Sequence, residues 1–149
     1  EFILSAVSRT RWLTMDKAGG NMGFERWVVA NAVELIKLGE GHHFGEWWGN
    51  GIQRGYGLKE KRFSLCNTQR WKDSPLLPAC CHVVPLIAVG EFTAMMGHIY
   101  DVMDQLKERG SRAAPGFIDP EGIMLYHDYG KVYFKKTFEK DDTGKELKL

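Results

Sequence analysis

His43-Phe44-Gly45-Glu46-Trp47-Trp48-Gly49-Asn50-Gly51-Ile52-Gln53-Arg54 places one carboxylate among bulky aromatics and follows it with a glycine-rich, cationic turn. Residues 43–48 read as a strand that ends in a tight turn. Side chains alternate along a strand, so Glu46 and Trp48 share one face and Trp47 takes the other. Gly49 and Gly51 permit a sharp turn or a close backbone approach to a ligand. A carboxylate beside rings suits a ribose-type hydroxyl pair, since it accepts hydrogen bonds that a neighbouring ring shields from water. The residues alone fit equally well a hairpin turn that carries an exposed acid.

Around this stretch the chain mixes strands and helices without regular alternation. Residues 1–7 read as a strand and 13–23 as a glycine-containing loop. Phe24, Trp27, Val28, Val33, Leu35, Ile36 and Leu38 predict one amphipathic helix over 24–38, closed by Gly39. Strands are expected at 42–48 and 62–67, joined by the loop 49–61. Pro75 and Pro78 make 71–81 a loop. Val83–Val89 is a short buried strand candidate that contains Pro85. Residues 91–109 carry Phe92, Met95, Met96, Ile99, Val102, Met103 and Leu106 at helical spacing, with Gly110 as C-cap. The methionines are most simply core. Residues 122–127 and 131–138 form an expected hairpin through Asp128-Tyr129-Gly130. The tail, 139–149, is charged and expected to fray. The expected class is α+β with a mostly antiparallel sheet and flanking helices.

The 149 residues suffice for one domain with a real core. A hydrophobic content of 44% and a formal charge of +1 fit a globular chain and argue against an indiscriminate polyanion binder. No apolar run is long enough to span a membrane, and no signal peptide is visible. Cys66, Cys80 and Cys81 are an odd count with an adjacent pair, which argues against a disulfide framework and for a reducing cytoplasm. His42, His43, Cys80, Cys81 and His82 are zinc ligands by type, but their spacing matches no ribbon or finger. Arg9-Thr10-Arg11-Trp12, Arg54-Gly55-Tyr56, Lys59-Glu60-Lys61-Arg62 and Arg70-Trp71-Lys72 interleave cations with rings, which suits single-stranded or nicked RNA. Each cluster also reads as solvated surface.

The opening stretch resembles nucleotidyl-transferase motif III of the ATP-dependent RNA ligase family, the branch with an FGE-aromatic core followed by G-x-G-I-Q. Ser8-Arg9-Thr10 with Arg11-Trp12 resembles that family's early Arg-Thr element, and Asn21-Met22-Gly23-Phe24 its next segment. Lys61 to Asn67 resembles motif IIIa, Pro120-Glu121-Gly122-Ile123-Met124-Leu125 motif IV, and Phe134-Lys135-Lys136 motif V. The elements stand in order across nearly the whole chain. The resemblance implies the nucleotidyl-transferase (ligase and capping-enzyme) fold, with 1–149 a single, incomplete domain. It implies ATP and Mg2+ as cofactors and RNA ends, a 5′-phosphate and a 3′-hydroxyl, as partners. Arg9, Glu46 and Cys66 would contact the nucleotide, Glu46 at the ribose and Cys66 where the family places a ring on adenine. Glu121 would be a metal partner or an organiser of lysines. Lys135 and Lys136 would bring positive charge to the α-phosphate.

Three departures qualify the resemblance. The family's nucleophilic lysine lies in a K-x-D-G motif ahead of the Arg-Thr element, and no such motif occurs in this chain. The expectation is a truncated frame, with Lys17 of Asp16-Lys17-Ala18-Gly19-Gly20 a poor substitute. A non-catalytic nucleotide- or RNA-binding remnant is the alternative, and a DNA ligase or capping-type enzyme a third. The motif V lysines are adjacent, so on a strand they point to opposite faces and one alone serves the nucleotide, Lys135 by preference. Cys66 replaces a ring with a thiol, a loss of about 1–3 kcal/mol if that ring stacks as rings do on nucleic-acid bases.

Overall fold

The computed structural model describes residues 3–14 and 20–138. Lys17, the 139–149 tail and the first two residues of the expected strand lie outside that range. The chain divides into two compact units, Glu1–Pro85 and Leu86–Leu149. No helix among the described residues is long and apolar enough to cross a membrane.

In the first unit the expected 24–38 helix is broken. α1 is Phe24–Ala30, α2 is Ala32–Leu35, and a 3-10 turn at Ile36–Leu38 follows. The break falls at Asn31, whose side-chain amide donates to the Trp27 carbonyl at 2.8 Å while its backbone N–H reaches the same oxygen at 3.0 Å. Asparagine competes for backbone partners in this way and so interrupts helices. Gly39 ends the run as expected, with φ 79°. β1 is Gly45–Gly49 and β2 is Lys61–Leu65, paired antiparallel with Glu46 opposite Ser64 and Trp47 opposite Phe63. α3 is Thr68–Trp71, and the Asn67 side chain caps it by accepting from Arg70 N–H at 3.1 Å.

β3 is Cys81–Val83 and pairs parallel with β2, so this sheet is mixed, in the order β1-β2-β3. The strand expected at 83–89 therefore starts earlier and stops sooner. Val84 N–H makes a last bond to the Leu65 carbonyl, and Pro85 has no N–H to continue the ladder. One isolated bridge, Val7 to Trp12, stands where a strand over 1–7 was expected.

The core lies on one face of this sheet. Phe24, Trp27, Trp47 and Phe63 pack with ring centroids 5.0–5.8 Å apart. Val28, Leu35, Leu38, Leu65 and Trp71 are buried around them. Gly45 is obligatory here, because a Cβ would stand 2.6 Å from both the Phe63 ring and the Ser64 carbonyl.

The second unit joins one long helix to a hairpin. α4 is Phe92–Arg109, ended by Gly110 at φ 80°, as expected. Met103 and Leu106 are buried, whereas Met96 is exposed, so the methionine stripe is core only in its second half. β4 is Gly122–His127 and β5 is Val132–Thr137, an antiparallel pair with Met124 opposite Lys135 and Ile123 opposite Lys136. The architecture is α+β with small antiparallel and mixed sheets.

Candidate functional site

In the first unit, alternation along β1 sends Trp47 into the aromatic core and leaves Glu46 and Trp48 on the opposite face. The β1–β2 register adds Arg62 and Ser64 to that face, and the β2–β3 register adds His82. Cys66 lies one alternation beyond Ser64 and feels the Glu46 carboxylate. Glu46 itself is exposed. Trp48 donates its indole N–H to Ser64 Oγ at 2.9 Å, and Tyr56 stands edge-on to its ring at 5.4 Å. The face thus offers a carboxylate acceptor with a fixed indole on the same strand.

Burial, and secondarily the Glu46 charge, pushes the Cys66 thiol up to about 11. The position is a neutral, small side chain at neutral pH. Burial, followed by the Arg62 charge, lowers the pKa of His82 below its ordinary value.

The loop after β1 holds its shape through left-handed residues, Gly49, Gly51, Gln53, Gly55, Tyr56 and Gly57. A Cβ on Gly49 would collide with the Glu60 carbonyl, so this glycine serves the approach of β1 to β2. Gly51 has open space and φ 73°, which is turn geometry. Tyr56 at φ 53° is costly for a bulky residue, and it is this residue that meets Trp48.

Arg9 is exposed, in the turn closed by Ser8 N–H to the Arg11 carbonyl at 2.8 Å. Several cations of the cation–ring clusters have structural work. Lys61 donates to the Met22 carbonyl at 2.6 Å, and Arg62 pairs with Glu60 at 2.8 Å. Arg70 donates to the Leu38 carbonyl at 2.9 Å and lies over Trp71, whose ring is buried. The Lys61 and Arg70 bonds to carbonyls were invisible in the sequence, because each joins segments more than thirty residues apart.

In the second unit Glu121 and Lys135 form an ion pair, Oε1 to Nζ at 2.5 Å. Gly122, the first residue of β4, at φ 150° passes so close to the Lys136 carbonyl that a Cβ would not fit. Lys136 points the other way and sets its ammonium 5.6 Å from the centre of the Tyr100 ring on α4. The adjacent lysines therefore point to opposite faces of the strand, with Lys135 paired to Glu121. Among the described residues no group of three or more His, Cys, Asp or Glu side chains is gathered to hold a metal. The three thiols are free, with Cys80 and Cys81 sulfurs 4.0 Å apart.

Comparison of the chain with protein-family models, with characterised proteins and with solved structures finds no match.

Proposed function

We propose that this chain carries the nucleotide-handling elements of an ATP-dependent RNA ligase with the nucleotidyl-transferase fold, acting on RNA ends in the cytoplasm. The observation that supports it best is the register Glu46 opposite Ser64, which leaves the carboxylate outward beside Cys66 while Trp47 anchors the strand in the core. That is what a ribose-holding acid of motif III requires. In this reading Glu46 accepts from the ribose hydroxyls and Arg9 contacts the nucleotide. Lys135, held by Glu121, neutralises charge on the α-phosphate. Lys136 is the weaker candidate because its ammonium lies over Tyr100. Magnesium supplies further neutralisation of the phosphates. It is commonly held by one or two carboxylates together with substrate phosphates, so a single acid such as Glu121 is compatible with it. The family reaction runs through a lysine adenylate, AMP transfer to a 5′-phosphate, and sealing by a 3′-hydroxyl with release of AMP.

A second reading is nucleotide or RNA binding without catalysis, which the outward Glu46 face would serve equally. Incubation with α-labelled ATP and magnesium tests both. Label retained on a native filter and lost on a denaturing gel is the expected result. Label that survives denaturation and acid places a nucleophilic lysine among these residues and overturns the binding-only reading. No retention on the filter overturns both.

A further inference from the structure

We propose that Phe44 is the base-stacking residue of the Glu46 face, receiving the planar base of a nucleotide over Cys66. The inference rests on the nucleotide reading above and adds a residue to it. Cys66 N–H donates to the Phe44 carbonyl at 2.9 Å, which carries the β1–β2 ladder one pair beyond Gly45 and Leu65. Phe44 and Cys66 are therefore cross-strand neighbours, and alternation puts both on the face of Glu46 and Ser64. The other rings of the segment are committed: Trp47 to the core, Trp48 to Ser64 and Tyr56. Phe44 is 72% exposed, an apolar ring standing on the face that carries Glu46 and Ser64. His42 is its ring neighbour among the described residues, at a centroid distance of 6.4 Å.

A large ring beside a small side chain leaves a step on the sheet surface. A flat group laid over Cys66 meets the Phe44 ring at its edge or face. Glu46 lies two residues further on, about 7 Å along the strand. A carboxylate for hydroxyls at that spacing from a ring is the chemistry of a nucleoside, with a sugar diol at one end and a base at the other. The same arrangement explains how a thiol is tolerated at position 66, since the ring comes from across the ladder.

Titration of the full chain with ATP, GTP and inorganic tripolyphosphate tests this. Phe44→Ala is expected to weaken ATP and GTP by about tenfold or more, because stacking accepts any base, and to leave tripolyphosphate unchanged. Phe44→Trp is expected to retain ATP binding. Adding Cys66→Phe to Phe44→Ala is expected to recover it. An unchanged melting curve for Phe44→Ala confirms that an exposed ring, not folding, was removed. ATP binding to the natural chain that Phe44→Ala leaves intact overturns the inference while the nucleotide reading stands. No ATP binding by the natural chain overturns the reading and the inference together.

Discussion

Trp48 donates its indole N–H to the Ser64 hydroxyl at 2.9 Å across the β1–β2 ladder, on the face away from the aromatic core. The bond fixes one ring on the face that presents Glu46. It also satisfies the hydroxyl of a buried serine, a group that costs free energy when left without a partner. Ser64→Ala is expected to destabilise the first unit by about 1–2 kcal/mol, because the indole donor then has no acceptor in a half-buried setting. Urea unfolding followed by circular dichroism measures it. In a Trp48→Phe background the same change should cost clearly less, and equal costs in both backgrounds would show that the bond contributes nothing.

Glu25 stands in the first turn of α1 at 3% exposure, and neither of its carboxylate oxygens has a hydrogen-bond partner among the described residues. A buried carboxylate without partners opposes folding. Glu25→Met keeps the volume and the helix propensity, and should raise stability by about 1–3 kcal/mol. A fall in the urea midpoint would reveal a partner that the carboxylate needs.

The adjacent lysines Lys135 and Lys136 should separate in function as they do in space. Lys135→Ala is expected to weaken ATP by about tenfold and to leave adenosine unchanged, since it removes charge facing phosphate. Lys136→Ala should have the smaller effect. Parallel titrations with ATP and adenosine decide it, and a larger loss at Lys136 would reverse the assignment.

Burial pushes the Cys66 thiol up to about 11, and it pushes Cys81, beside Cys80, up to about 12, from an ordinary 9.0. Below pH 9 the folded and unfolded chains both keep these protons. Above it the unfolded chain loses them first, so stability falls from about pH 9 towards pH 11–12, where the folded thiols titrate. Cys66→Ala should flatten that alkaline decline relative to the natural chain, as read from melting temperatures across the range. An identical slope would mean that Cys66 does not contribute to the decline. Native alkylation by iodoacetamide at pH 8 should also be slow at Cys66, because the thiolate is the reactive form.

The parts of the fold legible in the sequence are those set by local pattern. Alternation through Gly45-Glu46-Trp47-Trp48 put Trp47 on the face opposite Glu46 and Trp48, and the structure agrees and adds that the Trp47 face is the core face. Helical spacing gave α4 and its Gly110 stop, and the Asp128-Tyr129-Gly130 turn gave the β4–β5 hairpin. Features set by distant partners were not legible. The parallel pairing of Cys81 with Phe63 has no local signature, so the third strand was placed too late. The break at Asn31 depends on its side chain choosing the Trp27 carbonyl over solvent. Arg70 reads as a cation for nucleic acid until its bond to the Leu38 carbonyl is seen. The sequence singled out Glu46 on β1 and, separately, Glu121 and the adjacent lysines, but did not single out Phe44. Its signal was present, a ring two residues before Glu46 on the same alternation, but the facing Cys66 emerges only from the ladder.

Isothermal calorimetry of the natural chain and of Glu46→Gln with magnesium and ATP tests the nucleotide reading most directly. The expected result is saturable binding at one site per chain, weakened about tenfold or more by a substitution that keeps shape and removes the charge of the acceptor. No binding by the natural chain, or equal affinity in Glu46→Gln, would contradict the assignment of this face to a nucleotide.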